Sequence, residues 1–181
     1  MNSTQIKTHC VWGIAGLALL GVGSGCIEQT AFADGPMTRV FRMHHPVQRD
    51  WVTLAEHSEP TEAQMSSWGY QHKTYQFKAL RHQAPGTIAV YRWFQPQEKD
   101  WVTMPEGNPS DSQLSGWGYQ KKTFSFYAYP SHQEGTIPVY RWWNANDGDW
   151  ITIAAGEVSD GQLSEWGYGK KTGPIFYAYP L

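Results

Sequence analysis

Cysteine is almost absent from this chain of 181 residues, which contains only two. Both of them, Cys10 and Cys26, lie near the N-terminus, so no disulfide can hold the rest of the chain together. Small secreted domains often need such bridges because their cores are small. Burial must replace them here, and nine of the ten tryptophans lie in that part of the chain and supply large side chains for the purpose. The lack of cysteine after Cys26 also excludes thiol chemistry from that part of the chain.

An excess of charge of one sign is lacking as well. The chain has 14 lysines and arginines against 16 aspartates and glutamates, a net charge of −2 at pH 7. The basic residues are scattered, whereas proteins that bind nucleic acid usually concentrate them in a patch or stripe. We therefore expect no nucleic-acid partner. We also expect no membrane span, because no apolar run approaches the length needed to cross a bilayer.

The N-terminal segment is typical of a signal peptide. A basic residue precedes the apolar run VWGIAGLALLGVG, and Ala31-Phe32-Ala33 supplies the small residues that a signal peptidase recognises. This pattern predicts a signal peptide over residues 1–33 and a secreted, extracellular or periplasmic mature chain, 34–181, that forms a single domain. A lipid anchor at Cys26 is the alternative, because the apolar run ends close to Ser24-Gly25-Cys26.

The same motifs occur three times after the leader, at intervals of about 50 residues. Each copy contains DWVT or DWIT, then WGY, then KT, then a phenylalanine two residues before an alanine. We call the three copies unit 1 (37–86), unit 2 (87–135) and unit 3 (136–181). Such a pattern indicates one supersecondary element used three times, which buries its apolar surface against its neighbours.

The elements of one unit can be predicted from its motifs. A short apolar run, a polar turn and the DWVT segment predict a β-hairpin. A Ser, Thr or Asp before a Gln-Leu or Gln-Met stretch, followed by glycine, predicts a single N-capped helical turn. A third strand then runs from KT to the Phe-x-Ala motif. The fold class is mostly β, with three repeats of about 49 residues that close with pseudo-threefold symmetry in a β-trefoil-like arrangement and one short helical turn per repeat.

Alternation along the second strand separates a core face from an outer face. Val52 and Leu54 are apolar in all three copies, so they should point to the core, and Trp51 should point away from it. A tryptophan on the outer face can stack on a ligand, and the neighbouring aspartate can accept hydrogen bonds from that ligand. Tyrosines at alternate positions of the third strand could also contact the ligand. The predicted ligand-binding residues are Trp51, Trp101, Trp150, Asp50, Asp100, Asp149, Tyr127, Tyr129, Tyr177 and Tyr179. The tryptophans of the WGY motifs, Trp68, Trp117 and Trp166, are expected in the core instead.

Two further sets of charged residues recur in all units. They are Arg42, Arg92 and Arg141, and Lys73, Lys122 and Lys171. One interpretation is structural: the arginines pair with the aspartates across the hairpin, and the lysines cap helix carbonyls. The other interpretation places them in a threefold ligand site. The sequence leaves both open.

Catalytic and metal-binding motifs are lacking. No Gly-x-Ser-x-Gly occurs, and the histidines do not show the paired spacing of zinc ligands. Glu56 and Glu106 correspond, but unit 3 has Ala155 at that position, so a repeated carboxylate pair fails. The acidic stretch from Asn144 to Asp149 is better interpreted as a turn than as a calcium loop, because its glycine is out of register. We expect no enzyme activity, no metal and no cofactor.

Unit 3 also resembles a known module. The segments GTIPVYRWWNANDGDWITI, LSEWGY and FYAYP are similar to PVYRLYNPNTGDHFYTT, LVAAGW and EGIAFYVYP, the pattern of a repeat module of undetermined function in secreted bacterial and fungal proteins. That module is often appended to extracellular hydrolases. The resemblance covers 37–181 and implies an autonomous module that attaches to glycans or surfaces. This chain differs by placing tryptophan at 51, 101 and 150, where the module commonly has histidine, and we expect no attached catalytic domain.

Three functions are compatible with these features. The first is a secreted, non-catalytic, lectin-like protein that binds carbohydrate or a cell-surface glycan at up to three sites. The second is a secreted protein-interaction or toxin-like factor that binds a protein receptor through one asymmetric patch, chiefly His44, His45, Trp142 and Trp143. The third, a small hydrolase, lacks any nucleophile motif.

Overall fold

A computed structural model of the chain describes residues 37–181; the predicted signal peptide and the alternative anchor at Cys26 lie outside the described residues. The nine strands are β1 (Met37–His45), β2 (Asp50–Ala55), β3 (Gln71–Leu80), β4 (Ile88–Gln95), β5 (Asp100–Pro105), β6 (Lys121–Ala128), β7 (Ile137–Asn144), β8 (Asp149–Ala154) and β9 (Tyr168–Ala178). The three helices are α1 (Glu62–Ser67), α2 (Asp111–Gly116) and α3 (Asp160–Glu165). The protein is therefore mostly β, and each unit contributes a hairpin, a short helix and a third strand, as expected. None of the helices described in 37–181 is long and apolar enough to cross a membrane.

The strands form two sheets. Six strands lie in the order β2-β1-β3-β6-β4-β5, and three lie in the order β8-β7-β9. In every unit the first strand lies between the second and the third, and all these pairs are antiparallel. The third strands join the units at their ends, through the pairs Leu80–Tyr127, Lys78–Tyr179 and Tyr129–Tyr177. Each unit thus pairs with both others.

The helices begin where the sequence predicted. Thr61, Ser110 and Ser159 are the N-caps, and each accepts a hydrogen bond from the backbone N–H three residues on. In α1 and α2 the glutamine at that third position returns a hydrogen bond to the cap, which completes a capping box. The helices end at the WGY motif, whose glycine has a positive φ. At Gly167 a Cβ would lie only 2.9 Å from Asn144 Nδ2, so the chain needs glycine there.

The central core is built from the same positions of the three units. Phe77, Phe126 and Phe176 are fully buried, and their ring centroids lie 5.6–5.8 Å apart in edge-to-face contact. Edge-to-face pairs at this distance are favourable beyond their burial. A valine from each first strand, an alanine from each third strand, and Ala55 and Ala154 of the second strands complete the cluster. The inward direction predicted for Val52, Leu54 and their counterparts is confirmed, since all of these side chains are buried.

The prediction that the WGY tryptophans fill the core is wrong. Trp68, Trp117 and Trp166 are 51%, 57% and 41% exposed. Each is the C-cap of its helix and precedes a glycine with positive φ, so the chain turns there and leaves the indole outside. The tyrosine of the motif turns inward instead, and Tyr70, Tyr119 and Tyr168 are buried.

Candidate functional site

The three aspartates predicted as ligand acceptors lie together inside the protein. Asp50, Asp100 and Asp149 are buried, and each offers a carboxylate oxygen within 4.8 Å of the others. Each accepts a short hydrogen bond from the tyrosine of its own unit, through the pairs Tyr70–Asp50, Tyr119–Asp100 and Tyr168–Asp149. We call these three residues the aspartate triad. Because they are buried and bonded to tyrosines, a ligand at the protein surface would have to reach past these contacts to touch them.

The triad also links neighbouring units. Trp101 N donates to Asp50 Oδ1 over 3.2 Å, and Trp51 N donates to Asp149 Oδ1 over 3.3 Å. Each bond joins one unit to the next through the start of a second strand. In these contacts the aspartate of one DW motif accepts a hydrogen bond from the backbone N–H of the tryptophan in the DW motif of another unit.

Burial raises the pKa of the triad. It is the main reason why the pKa of Asp100 rises to about 7 and that of Asp149 to about 6, and it raises the pKa of Asp50 well above the ordinary value. The neighbouring carboxylates raise the pKa of Asp50 further, because like charges oppose ionisation.

Carboxylate oxygens are ligands that Ca²⁺ and Mg²⁺ prefer. Among residues 37–181, the aspartate triad is the group whose oxygens lie close enough together to hold such an ion.

The recurring arginines are structural and do not pair with the aspartates across the hairpin, which corrects that interpretation. All three are buried. Arg42 forms an ion pair with Glu157, whereas Arg92 donates to the carbonyl oxygen of Glu59 and Arg141 contacts the sulfur of Met104. The arginine of unit 1 thus contacts unit 3, that of unit 2 contacts unit 1, and that of unit 3 contacts unit 2. The arginines therefore hold neighbouring units together from inside.

Arg141 lacks the carboxylate that Arg42 has, and this difference predicts a stabilising substitution. Glu157 lies two residues before the N-cap Ser159, and Asn108 holds the corresponding place before Ser110. Burial lowers the pKa of Arg141 to about 10, although the charge of Asp100 acts in the opposite direction, and no carboxylate lies within ion-pair distance of Arg141 among residues 37–181. We expect Asn108→Glu to raise the free energy of unfolding by about 1 kcal/mol, the net size of a typical hydrogen bond, because burial of the new carboxylate offsets part of the stronger bond to a charged group.

Denaturant unfolding measures this effect. Asn108→Gln is the matched control, because it adds the same length without the charge, and it should leave the unfolding midpoint within error. Equal midpoints for the Glu and Gln variants would contradict the account of Arg141.

The recurring lysines are also structural, but by a different contact from the one expected. Each pairs with the first acidic residue of its own helix rather than with the last carbonyls. The pairs are Lys73–Glu62, Lys122–Asp111 and Lys171–Asp160, at 2.5, 2.7 and 3.0 Å. Each ammonium also lies over a tyrosine ring, as Lys122 does over Tyr91 at 4.1 Å. The lysine thereby fixes the third strand to the helix.

The predicted tryptophan platforms lie at the boundaries between units. Trp101 of unit 2 packs in the cluster of unit 1 and is only 7% exposed. Trp150 packs against the cluster of unit 2 and Trp51 against that of unit 3, and both are half-buried. Each ring thus has one side on protein, and two of the three retain accessible surface.

Three clefts open beside these rings, one at each boundary. The first cleft, between units 1 and 2, has a volume of about 550 Å³ and contains Trp68 and Trp101. The second cleft, between units 2 and 3, has about 300 Å³ and contains Trp117 and Trp150. The third cleft, between units 3 and 1, has about 380 Å³ and contains Trp166 and Trp51. Every cleft therefore pairs an exposed WGY tryptophan with a DW tryptophan of another unit.

The third cleft illustrates the geometry. The rings of Trp51 and Trp166 are nearly parallel, with centroids 6.3 Å apart and an angle of 13°. His44 stacks on Trp51 at 4.5 Å, so the ring is held in place. Phe94 and Trp143 have the same role beside Trp101 and Trp150.

The rims of the clefts differ in charge. Lys99 and Lys121 line the first cleft, together with Glu59. Glu98 lines the second cleft, where Asp100 also lies. In the third cleft Arg49 and Asp147 form an ion pair at 2.7 Å. The aromatic pair is thus common to all three clefts, whereas the polar groups are specific to each.

The predicted tyrosines lie elsewhere. Tyr127, Tyr129, Tyr177 and Tyr179 are not among the residues that line the three clefts. They take part in the strand pairs that join the units, as in Tyr129–Tyr177. The structure therefore does not bring them together with the tryptophans.

Sequence reasoning missed the contribution of the WGY tryptophans to these clefts. The signal that could have found them is the following glycine, which ends a helix and turns the chain outward. The tyrosine that follows this glycine was therefore the better candidate for the core, and Tyr70, Tyr119 and Tyr168 are indeed buried.

The fold and the clefts define a class of protein: β-rich, with aromatic clefts at the boundaries between units 1, 2 and 3. The chain belongs to a family described as a domain of unknown function, DUF5648, whose model matches residues 39–179. This match is consistent with the uncharacterised module that the sequence resembles. None of the curated proteins and no solved structure matches the chain.

Proposed function

We propose that this protein is a secreted, non-catalytic, lectin-like module that binds carbohydrate or a cell-surface glycan in the three clefts. The observation that carries the proposal is the recurrence, at each boundary, of an exposed tryptophan beside a second tryptophan. Indole rings offer large, rigid and partly apolar faces on which the C–H side of a sugar ring can stack. An exposed polar side chain at the rim, such as Gln48 of the first cleft, can exchange hydrogen bonds with hydroxyl groups.

Within this proposal the strand tryptophans Trp51, Trp101 and Trp150 form the inner walls. The aspartates Asp50, Asp100 and Asp149 support these walls from behind rather than meeting the sugar, because they are buried and bonded to tyrosines. The exposed tryptophans are the principal platforms. Three weak sites on one rigid body would raise avidity on a multivalent surface by about 10²–10⁴.

A pseudo-threefold, β-trefoil-like arrangement is part of the proposal. It is supported by the similar spacing of the three core phenylalanines and by the triad of equivalent aspartates. Such an arrangement would present the three clefts around one axis. Secretion after removal of a signal peptide, or retention through a lipid at Cys26, would bring them to an outer surface.

Receptor binding through one asymmetric patch has less support. Of the residues on which that hypothesis rests, His45 and Trp142 are buried. His44 and Trp143 are half-buried and stack on the strand tryptophans of the third and second clefts. These residues therefore support clefts and do not form a separate surface.

Binding to glycan arrays and insoluble polysaccharides tests the proposal. We expect the wild type to bind, and the triple variant Trp68→Ala, Trp117→Ala, Trp166→Ala to lose binding by about 10²-fold or more, because it loses both stacking and avidity. These indoles are exposed, so the variant should keep its unfolding midpoint.

Phe124→Ala is the matched control. This ring is also exposed, at 39%, but it is not among the residues that line the three clefts. It should leave binding unchanged. A wild type that binds neither arrays nor polysaccharides, or a triple variant that binds as well as the control, would overturn the proposal.

A further inference from the structure

The second cleft differs from the other two in the number of its tryptophans. Three tryptophans, Trp117, Trp143 and Trp150, line it together with Tyr119. The corresponding walls of the first cleft include Phe94 in place of Trp143, and those of the third include His44. The second cleft is also the smallest, at about 300 Å³. It is therefore a compact aromatic cage, suited to a small group rather than to an extended chain.

The charge of the second cleft differs as well. Glu98 lines it, and none of the described residues that line it is a lysine or an arginine. Among residues 37–181, no cation lies within ion-pair distance of Glu98. By contrast, two lysines line the first cleft, and Arg49 neutralises Asp147 in the third. The second cleft thus has an unneutralised carboxylate at its rim.

Several polar groups of this cleft already have partners, whereas Oδ1 of Asp100 is buried and has no hydrogen-bond partner among residues 37–181. The hydroxyl of Tyr119 donates to Asp100, and the side-chain oxygen of Gln95 accepts from the backbone N–H of Glu98 at 2.7 Å. These bonds fix the wall and the rim in place. They leave aromatic faces and carboxylate oxygens as the main groups available to a ligand.

We propose that the second cleft binds a quaternary ammonium group, such as the trimethylammonium head of choline. A quaternary ammonium is a cation without N–H donors, so it gains little from hydrogen-bond acceptors and much from aromatic faces and a nearby carboxylate. The free faces of Trp117 and Trp143, with Glu98 at the rim, provide that combination. This inference goes beyond glycan binding, because it assigns to one cleft a cationic ligand that the other two would not select.

A buried cation already lies near this cleft and limits which faces are free. The Arg141 guanidinium carbon is 4.2 Å from the centre of the Trp150 ring. One side of Trp150 is therefore occupied from within. The faces of Trp117, which is 57% exposed, and of half-buried Trp143 are the ones left for the ligand.

The test is a titration of the isotope-labelled protein with choline chloride, followed through the indole N–H resonances and the intrinsic fluorescence at constant ionic strength. We expect choline to shift the resonances of Trp117, Trp143 and Trp150 in a saturable manner, with one site per chain, and to leave those of Trp68 and Trp166 unchanged. The neutral isostere dimethylbutanol, which has the same shape without the charge, should bind at least about tenfold more weakly.

Three variants make the test specific. Trp117→Ala should raise the dissociation constant for choline by about tenfold or more, and Glu98→Gln by about threefold or more. Trp166→Ala changes the corresponding residue of the third cleft and should leave choline binding unchanged. Since Trp117 and Glu98 are exposed, both variants should fold as the wild type does.

The inference is overturned by three results: no saturable shift with choline, equal binding of choline and dimethylbutanol, or equal weakening by Trp166→Ala and Trp117→Ala. None of these results bears on the glycan arrays, because choline is measured in the absence of glycan. Conversely, silence on arrays would overturn the lectin proposal and leave the choline titration unaffected.

Discussion

Replacement of Phe126 by alanine is expected to lower the free energy of unfolding by about 3–5 kcal/mol. The side chain is fully buried and touches both Phe77 and Phe176, with centroid distances of 5.7 and 5.6 Å. Its removal would take away two aromatic contacts and leave a cavity where the three units meet. Denaturant unfolding followed by tryptophan fluorescence measures the loss.

Phe124→Ala is the control for this experiment too. Phe124 lies two residues earlier on the same strand, but it is 39% exposed. We expect its replacement to cost less than about 1 kcal/mol, as is usual for surface positions. If both variants lost the same stability, the shared phenylalanine core would not be what joins the units.

The second large effect concerns pH. The protein should become less stable as the pH rises from about 4 to about 8 in the presence of a chelator, by roughly 3–6 kcal/mol. The reason is the aspartate triad, in which burial raises the pKa of Asp100 to about 7 and that of Asp149 to about 6. Between the unfolded pKa near 3.8 and these values, the folded state binds more protons than the unfolded state. The contribution of the triad to the free energy of unfolding is therefore complete below the unfolded pKa, and it is lost as the pH rises through the folded pKa.

Asp100→Asn separates the triad from other titrating groups. An amide cannot ionise, so the variant should lose less stability between pH 4 and pH 8 than the wild type. Glu157 has a pKa raised to about 7 by burial and adds to the same slope, but it is present in both proteins. Asp111→Asn, at an exposed aspartate paired with Lys122, is the control and should keep the wild-type slope. A wild type whose stability rises over this pH range would contradict the account.

Local structure could be predicted from the sequence because its causes are local. The N-cap serines and threonine, the glycine after each helix and the alternation through Val52 and Leu54 act over a few residues. The structure confirms the resulting helices, hairpins and inward faces.

The environment of the aspartates could not be predicted in the same way. Alternation gives the direction of a side chain but not what another unit places over it. Asp50 is covered by Tyr70 from its own unit and by the backbone of Trp101 from the next. Such contacts connect residues 20 and 51 positions apart, and a single sequence does not reveal them.

The clefts were predicted only in part for a similar reason. The alternation pattern indicated correctly that the strand tryptophans point away from the core of their own unit. It did not indicate that each of them packs against a neighbouring unit. The WGY tryptophans were assigned to the core because of their size, although Trp117 lies at a helix end where the chain turns outward. Size favours burial only where the backbone direction permits it.

The most direct test of three glycan-binding clefts compares the single variants Trp68→Ala, Trp117→Ala and Trp166→Ala on one glycan-coated surface. If each cleft contributes, every single variant should bind more weakly than the wild type, and the triple variant should lose binding. If one single variant abolished binding and the other two had no effect, the protein would have one asymmetric site, and the account would be wrong.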